Sequence, residues 1–396
     1  MKVSRRKFLG TSALASAALF LPEFIRAAGL RMKESFNGKR LIVIQLSGGN
    51  DGLNTLIPFE DDLYYRLRPS LSLSSDQIIK INELAAWNNA MLPLHKLYEG
   101  GEVAILNRVG YPNPDFSHFR SMDIWHSASG SEQTLNTGWI GRYLDSQCHD
   151  CRAHTAIEFD DTLSMVMKGE KSFGLAVNHP EQFYRMTANF FKSNDFNYGT
   201  TGNEALEFMY KVMADAKESA AVIKEKYDVK ESTASYPAYA FGKDLKTIAS
   251  LITAGLDTSF YYVSLSGFDT HINQKNNHNN LLKTLADGIS ALCQDLKRKN
   301  EFNNTLIMVF SEFGRRVKQN ASNGTDHGAA NVMFLIGGSL KQKGLLNPVP
   351  DLSQLDNGNL TYEIDFRSVY ATILSGWLNA DAEKILGKKF EKLGFV

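Results

Sequence analysis

The chain contains little cysteine, no excess of charge of either sign and no nucleotide-binding P-loop pattern. Its 396 residues include 3 cysteines, and 43 basic residues balance 43 acidic ones. A net charge of zero gives no electrostatic field that would attract nucleic acid or an anionic membrane surface. Low-complexity tracts and internal repeats are also lacking. These absences argue against a nucleic-acid partner, and 43% hydrophobic residues are typical of a globular protein.

Long apolar runs are lacking after the first thirty residues, so no later segment is predicted to span a bilayer. The start of the chain, MKVSRRKFLGTSALASAALFLPEFIRAAG, has a basic end, an apolar run and then small residues. This order is typical of a signal peptide, and SRRKFL within it matches the twin-arginine signal. We therefore predict that residues 1–28 are a signal and that the twin-arginine machinery exports the protein to the periplasm or cell exterior. The small-residue cleavage pattern is loose, which leaves an uncleaved anchor as the alternative.

The few cysteines fit that oxidising compartment. Cys148 and Cys151 are two residues apart in CHDC and are predicted to form a short-loop disulfide, leaving Cys293 buried. The alternative is a metal site that uses both thiolates with His149 or His154. A single C-x-x-C pair without a second pair is weak support for zinc.

Apolar runs and helical patterns alternate along the mature chain. Strands are predicted at residues 41–46, 103–107, 260–265, 305–310 and 332–336, with a helical pattern at 279–299 between the third and fourth. Such alternation predicts an α/β fold with a doubly wound, mainly parallel sheet and helices on both faces. We expect a single domain over residues 38–396, with an inserted cap at about 130–240.

The first strand ends in an unusual loop, SGGNDG. An apolar run bounded by turn-forming residues is typical of a buried strand, so Asn50 and Asp51 should lie at its carboxyl end. Open α/β sheets bind ligands at that edge. A plain turn in which Asp51 caps the next segment is the alternative.

Carboxylates and imidazoles also flank the later strands. SGFDTH and SEFGRR follow the third and fourth strands, and NGTDHG precedes the fifth. The residues that these segments supply are Asp269, His271, Glu312, Arg315, Asp326 and His327. Carboxylate and imidazole ligands suit zinc, manganese, magnesium or calcium. If the loops converge at one edge of the sheet, they and Asp51 form a divalent-metal site; separate turns and local ion pairs are the alternative.

The loop YPNPDFSHF supplies a candidate nucleophile, Ser117. Pro112 and Pro114 favour an extended approach, and Ser117 stands where a helix is predicted to begin. The amino end of a helix attracts anions, and metal contact would make the hydroxyl a nucleophile towards phosphorus or sulfur. Alternatively, Ser117 is an N-cap only. His118 and Arg120 either orient an anionic substrate or face solvent.

Several segments resemble a bacterial exported family, domain of unknown function 1501. Besides the twin-arginine start, they are LIVIQLSGGNDGLNTLIPFEDDLYYRLRP, VGYPNPDFSHFRSMDIW, TGWIGRYLD, SEFGRRVKQNASNGTDHG and IDFRSVYATILSGWLN. That family is similar to the alkaline phosphatase and sulfatase superfamily, whose members hold metals at the carboxyl edge of a doubly wound α/β sheet. By this resemblance, Asp51 matches the first metal-binding carboxylate and Ser117 the nucleophile. Asp269 and His271 resemble the metal-binding Asp-and-His pair, and His327 the late metal-binding histidine.

Two departures from the superfamily pattern bear on the number of metals. Glu312-Phe313 stands where Asp-His is usual, so one expected imidazole is missing. Asp269 and His271 are also closer together in sequence than in alkaline phosphatases. These departures leave open whether one metal or two would bind.

Pattern and resemblance together predict an exported metal-dependent hydrolase of phosphate or sulfate esters. Its ligand would be a small anionic ester or an envelope polymer. In this hypothesis Ser117 attacks the ester, while Asn50 and Arg315 stabilise the charge that develops on its oxygens. The alternative is a catalytically silent exported binding protein that holds a polysaccharide, an envelope component or a partner protein in the same cleft.

Overall fold

The structure, a computed structural model, describes residues 38–147, 151–193, 204–229 and 232–396. The twin-arginine signal and Cys148 lie outside these residues, so export and the pairing with Cys151 stay predictions. Cys293 lies within them and is a buried free cysteine, as expected. No helix in the described ranges has the length and apolar character needed to cross a bilayer.

Strands and helices alternate along the described chain. The strands are β1 (Arg40–Ser47), β2 (Leu56–Ile57), β3 (Ile78–Lys80), β4 (Ala86–Asn88), β5 (Val103–Gly110), β6 (Ala156–Phe159), β7 (Leu175–Ala176), β8 (Phe260–Ser266), β9 (Thr305–Phe310), β10 (Gly314–Arg315), β11 (His327–Gly328), β12 (Asn331–Ile336), β13 (Gly344–Leu345), β14 (Leu355–Asp356), β15 (Asn359–Leu360) and β16 (Ile364–Asp365). The α-helices are α1 (Asp62–Leu67), α2 (Leu92–Glu99), α3 (His118–Ser127), α4 (Trp139–Gln147), α5 (Pro180–Ser193), α6 (Glu204–Tyr227), α7 (Ala240–Thr253), α8 (Gln274–Arg298), α9 (Phe366–Thr372) and α10 (Ala382–Leu386), and a π-helical turn, Ile373–Trp377, follows α9.

Nine strands form the central sheet, in the order β13-β5-β12-β9-β1-β8-β6-β7, with β16 also beside β5. β1 runs parallel to β8 and β9, and β6 runs parallel to β7 and β8. β12 is antiparallel to both of its neighbours, β5 and β9. The sheet is therefore mixed and mostly parallel, which confirms the predicted fold class.

Both faces of the sheet are covered, because the buried strands are apolar on both sides. In β1, Ile42 and Ile44 belong to the core that also includes residues of α7 and α8, such as Leu245 and Leu285. Leu41 and Val43 belong to the core on the opposite face of the sheet, which also contains residues of α3, α4 and α9. Side chains of a strand point to opposite faces in turn, so this division gives the doubly wound arrangement.

The reversed strand β12 explains how a loop that precedes a strand joins the same edge as loops that follow strands. The carboxyl ends of β1, β8 and β9 lie together at one edge of the sheet. Since β12 runs the other way beside β9, its amino end lies at that edge. The segment before β12, which contains the small hairpin β10–β11, is thereby placed beside the loops after β1 and β8.

The structure differs from two details of the sequence prediction. α8 begins at Gln274, whereas a helix was predicted from 279, because Gln274 and His278 are polar residues that are nevertheless buried. Within the predicted insertion at 130–240, β6 and β7 extend the central sheet beyond β8. The extent of the domain and of its insertion stays a prediction.

Glu158 of β6 is a buried carboxylate whose titration should affect the stability of the fold. Burial raises the pKa of Glu158 from 4.5 to about 7, although the backbone N–H of Ser164 donates to it. A raised pKa in the folded state contributes stability that is complete below pH 4.5 and is lost as the pH rises through about 7. The difference amounts to about 3 kcal/mol.

Urea denaturation between about pH 4 and 8 should show that loss in the wild type. The variant Glu158→Gln has a side chain of similar size that does not titrate, so its free energy of unfolding should lack this component. Identical pH profiles for the two proteins would contradict the assignment.

Candidate metal centre

Loops at the carboxyl edge of the sheet bring Asp269, His271 and His327 together. Asp269 and His271 follow β8, and His327 is the first residue of β11. Oδ1 of Asp269 lies 3.0 Å from Nε2 of His271 and 3.2 Å from Nε2 of His327. The two Nε2 atoms are 3.0 Å apart. Two imidazole nitrogens and a carboxylate oxygen thus face one another at the predicted edge.

His118, the first residue of α3, adds a third imidazole. Its Nε2 atom lies 3.5 Å from Oδ2 of Asp269. Ligand atoms of His118, Asp269 and His327 all lie within 4.8 Å of one another, and among the described residues they form the group that could hold a metal ion. We refer to His118, Asp269, His271 and His327 as the histidine cluster.

The other ring nitrogen of each histidine in the cluster faces an acceptor. Nδ1 of His327 lies 2.7 Å from the backbone oxygen of Phe116. Because a carbonyl oxygen only accepts, Nδ1 of His327 carries a proton and donates it to Phe116, and the Nε2 atom of the ring is directed at Asp269 and His271. Nδ1 of His118 lies 2.9 Å from Oε1 of Glu312, and this hydrogen bond raises the pKa of His118.

His271 follows the same pattern with Asp326. Its Nδ1 atom lies 3.4 Å from Oδ1 of Asp326, while its Nε2 atom faces Asp269. Histidines that bind metals are usually oriented in this way, by a carboxylate or a carbonyl on the second ring nitrogen. Glu312 and Asp326, both predicted as ligands, therefore contact the Nδ1 atoms of His118 and His271, which face away from Asp269.

Arg315 holds Asp269 and the loops around it. Its Nη2 donates to Oδ1 of Asp269 at 2.8 Å, its Nε to the oxygen of Gly49 at 2.7 Å, and its Nη1 to the oxygen of Thr325 at 2.8 Å. Partial burial opposes ionisation, but hydrogen bonds from Arg315 and His327 lower the pKa of Asp269 to about 2. The carboxylate is consequently ionised near neutral pH, as a metal ligand must be.

Gly48 lets the loop after β1 approach the cluster closely. Its φ is +118°, and a Cβ atom there would lie 2.3 Å from the backbone nitrogen of Asp269. The N–H of Gly48 also donates to Oε1 of Glu312 at 2.8 Å. A residue with a side chain at this position would push against the backbone that carries Asp269.

Phe313 forms an apolar wall beside the cluster. Its buried ring packs against His118 and His327, with ring centroids 4.9 and 4.4 Å away. The ring supplies no ligand atom. Phe313 therefore contributes packing and no imidazole to this side of the cluster.

Ser117 lies at the N-cap position of α3, between two residues that contact the cluster. It is exposed, and in the described structure its hydroxyl makes no capping hydrogen bond. Its backbone N–H donates to Asp115 at 2.7 Å. The preceding residue, Phe116, binds His327 through its carbonyl, and the next is His118 itself. Ser117 is therefore an exposed residue at the amino end of α3, and both of its chain neighbours contact the cluster.

Asp51 and Asn50 lie behind the loops and not within the histidine cluster. Oδ2 of Asp51 lies 2.6 Å from Nη1 of Arg68, and both side chains are buried. Burial opposes the charged form, but Arg68 lowers the pKa of Asp51. The side-chain oxygen of Asn50 accepts hydrogen bonds from Thr55 and His278 at 3.1 and 2.9 Å.

Three features of this region were not predicted from the sequence. His118 points towards Asp269, and Arg68 and Gln274 are buried and bind Asp51. His118 stands directly after the predicted nucleophile, so its position at the helix start was the available signal. Arg68 and Gln274 carry no such signal, because single polar residues in a helical or loop pattern normally face solvent.

The alternative thiolate site is not supported at His154. This histidine is buried, its Nδ1 lies 3.0 Å from Oγ of Ser219, and its Nε2 lies 3.0 Å from Oδ1 of Asp257. Both ring nitrogens are thus engaged with protein groups. His149 and Cys148, the other residues considered for that site, lie outside the described residues.

A family model described as "Protein of unknown function (DUF1501)" matches residues 104–375. The chain belongs to this family. The match confirms the resemblance seen in the sequence and includes Ser117, Asp269, His271 and His327 of this DUF1501 protein. No curated protein matches it significantly.

Several solved structures are similar to this chain at low identity. The lipoteichoic acid synthase LtaP from Listeria monocytogenes is 9% identical with a TM-score of 0.39, covering 97% of this chain and 80% of that one. A protein in the alkaline phosphatase superfamily from Vibrio parahaemolyticus is 12% identical with a TM-score of 0.38, covering 98% and 78%. The PsFucS1 sulfatase from Pseudoalteromonas sp. is 11% identical with a TM-score of 0.37, covering 96% and 72%.

Proposed function

We propose that this DUF1501 protein is an exported hydrolase of phosphate or sulfate esters that uses one metal ion held by the histidine cluster. The observation that carries the proposal is the convergence of three Nε2 atoms on the carboxylate of Asp269, while each Nδ1 faces an acceptor. Protonated ring nitrogens would also donate to a carboxylate, so the feature that favours a metal is that each Nδ1 already faces a different acceptor. With a metal, the same orientation provides lone pairs in the direction of the ion.

Zinc is the metal that fits these donors best. Three imidazoles and one carboxylate are typical zinc ligands, whereas calcium and magnesium prefer sites made of oxygen atoms. The ligands in this proposal are Asp269, His271 and His327, with His118 as the further nitrogen donor. When bound, the ion would polarise an ester oxygen and lower the pKa of a hydroxyl beside it.

Other residues around the cluster have separate roles in this proposal. Ser117 is the proposed nucleophile, since its exposed hydroxyl lies at the amino end of α3, where the helix also stabilises an anionic group. Glu312 and Asp326 orient His118 and His271. Arg315 keeps Asp269 ionised instead of contacting the ester, because its side chain is fully buried and its N–H groups bind backbone oxygens and Asp269.

The buried positions of Asn50 and Arg315 change one part of the sequence hypothesis. Neither side chain reaches the open face of the cluster, so the proposal no longer assigns them to the charge on the ester oxygens. Asp51 is likewise left out of the proposed ligands, because its carboxylate is buried outside the histidine cluster and its Oδ2 pairs with Arg68. Its buried Oδ1 makes no hydrogen bond within the described structure. The proposal therefore involves one metal, and export by the twin-arginine machinery remains part of it.

The second candidate function, a catalytically silent binding protein, is favoured by one observation. Phe313 stands where the superfamily resemblance implies a metal-binding histidine, and its ring packs against His118 and His327. In that case the metal would organise a cleft that holds an envelope polymer or a partner protein. Metal content does not separate the two functions, but ester turnover does.

Turnover of an aryl phosphate and an aryl sulfate by the mature protein tests the hydrolase. We expect about one zinc per chain, loss of turnover with chelator and its return with zinc. Ser117→Ala should keep the zinc and lose about 10³-fold or more in kcat. Ser74→Ala, which changes another exposed serine at a helix start, is the matched control. Zinc binding without turnover of any ester would favour the binding protein, and full activity of Ser117→Ala would exclude Ser117 as the nucleophile.

A further inference from the structure

Asp51 is the centre of a buried network that connects the loops of the histidine cluster. Besides the 2.6 Å contact with Nη1 of Arg68, Oδ2 of Asp51 accepts a hydrogen bond from Nε2 of Gln274. All three residues have almost no exposed surface. Gln274 is the first residue of α8, three positions after His271 in the chain. One carboxylate oxygen therefore ties the loop after β1 to the start of the helix that follows His271.

Arg68 extends the network to the hairpin that carries His327. Its Nε donates to the backbone oxygen of Val317 at 2.8 Å, and its Nη2 to that of Arg316 at 2.9 Å. Arg316 lies directly after β10, whose partner in the hairpin is β11 with His327. The guanidinium thus binds the backbone immediately after β10 and fixes that end of the hairpin.

Thr325 connects Gln274, at the start of α8, with Arg315 of β10. Its hydroxyl donates to Oε1 of Gln274 at 2.6 Å. Its backbone oxygen accepts from Arg315, which in turn donates to Asp269. Thr325 is two residues before His327 and fully buried. The amide of Gln274 is consequently fixed at both ends, by Asp51 and by Thr325.

We propose that Asp51, Arg68, Gln274 and Thr325 are positioning residues, which set the distance between His271 and His327 without contacting the metal. This inference rests on the proposed metal function of the cluster. It explains why a carboxylate in the SGGNDG loop is buried against an arginine, since a charged oxygen accepts two strong, directional donors better than a neutral group would. Neighbours that orient ligands typically contribute about 10–100-fold to metal affinity.

The variants Thr325→Val and Thr325→Ser test this with little change in volume. The valine removes the hydroxyl that fixes Gln274. Because this hydroxyl does not contact a ligand directly, zinc affinity should fall by about 10-fold in a competition titration, the low end of the range for groups bonded to a ligand. The serine keeps the hydroxyl and should bind zinc like the wild type. Thr247→Val is the matched control, because Thr247 is also a buried threonine but donates to Lys243 within α7. Wild-type affinity in Thr325→Val, or an equal loss in Thr247→Val, would overturn the inference.

A single and a double variant test the ion pair between Asp51 and Arg68. Arg68→Met leaves a buried charge on Asp51 and should lower both the urea midpoint and zinc affinity. The double variant Asp51→Leu/Arg68→Met removes both charges, so its midpoint should recover, whereas its zinc affinity should remain reduced because the hairpin is no longer tied. Recovery of both quantities would show that the pair serves stability alone. If Arg68→Met does not fold, the zinc affinity of the double variant decides alone: a reduced affinity supports the inference, and wild-type affinity contradicts it.

A readout without metal separates this inference from the proposed function. In zinc-free protein, the ¹⁵N shifts of the His271 and His327 imidazoles report which ring nitrogen carries the proton and how strongly it is bonded. These shifts should change in Thr325→Val and stay unchanged in Thr247→Val. If the wild type binds no zinc, the proposed function fails, and the imidazole shifts still decide whether Thr325 and Gln274 position the histidines.

Discussion

The variant His327→Ala is expected to bind zinc at least about 100-fold more weakly than the wild type. That exceeds the about 10–100-fold loss typical when a residue behind a ligand is removed, because His327 itself supplies a nitrogen donor. Its Nε2 atom lies 3.0 Å from Nε2 of His271 and 3.2 Å from Oδ1 of Asp269, so its removal opens one side of the proposed site. Any zinc-dependent ester turnover should be lost with the metal.

Elemental mass spectrometry and a zinc competition titration would measure this effect. The matched control is His179→Ala, since His179 lies outside the cluster and contacts Tyr227. The fold should persist in His327→Ala, because the residue is near the surface and its loss leaves no charge buried. Wild-type zinc content in His327→Ala would exclude the histidine cluster as the metal site, whereas a loss in both variants would indicate a general effect on the protein.

The fold was largely predictable because its strands are buried on both faces. Such strands are continuous apolar runs, and the prediction for 305–310 coincides with β9. The early start of α8 was not predictable, since Gln274 and His278 interrupt the apolar pattern and face a polar interior. Hydrophobic periodicity reports the core, and it fails where buried side chains serve a polar network.

The sequence also indicated which loops meet at the candidate site, but not how their side chains are arranged. Asp269, His271 and His327 come from segments with carboxylates and imidazoles at strand ends, and the structure brings them together. Asp51 comes from the same kind of segment and instead pairs with Arg68. That difference depends on a contact between residues 17 positions apart, and local sequence does not reveal which partner a buried carboxylate finds.

Gly48→Ala is expected to destabilise the protein by about 2–6 kcal/mol and to weaken zinc binding. The φ of +118° costs a residue with a side chain about 1–3 kcal/mol. The new methyl group would also lie 2.3 Å from the backbone nitrogen of Asp269, and overpacking of this kind adds about 1–3 kcal/mol. Because the obstructing atoms belong to the backbone of Phe268 and Asp269, the loop that carries Asp269 must shift.

Gly255→Ala separates backbone conformation from this collision. Gly255 also has a positive φ, +76°, but a Cβ atom there would have no atom within 4 Å. Its substitution should cost about 1–2 kcal/mol and leave zinc affinity unchanged. Urea denaturation and zinc titration of both variants measure the difference, which is the contribution of close approach between the two loops. If Gly48→Ala lost no more stability than Gly255→Ala and kept its zinc affinity, the loop after β1 would not set the position of Asp269.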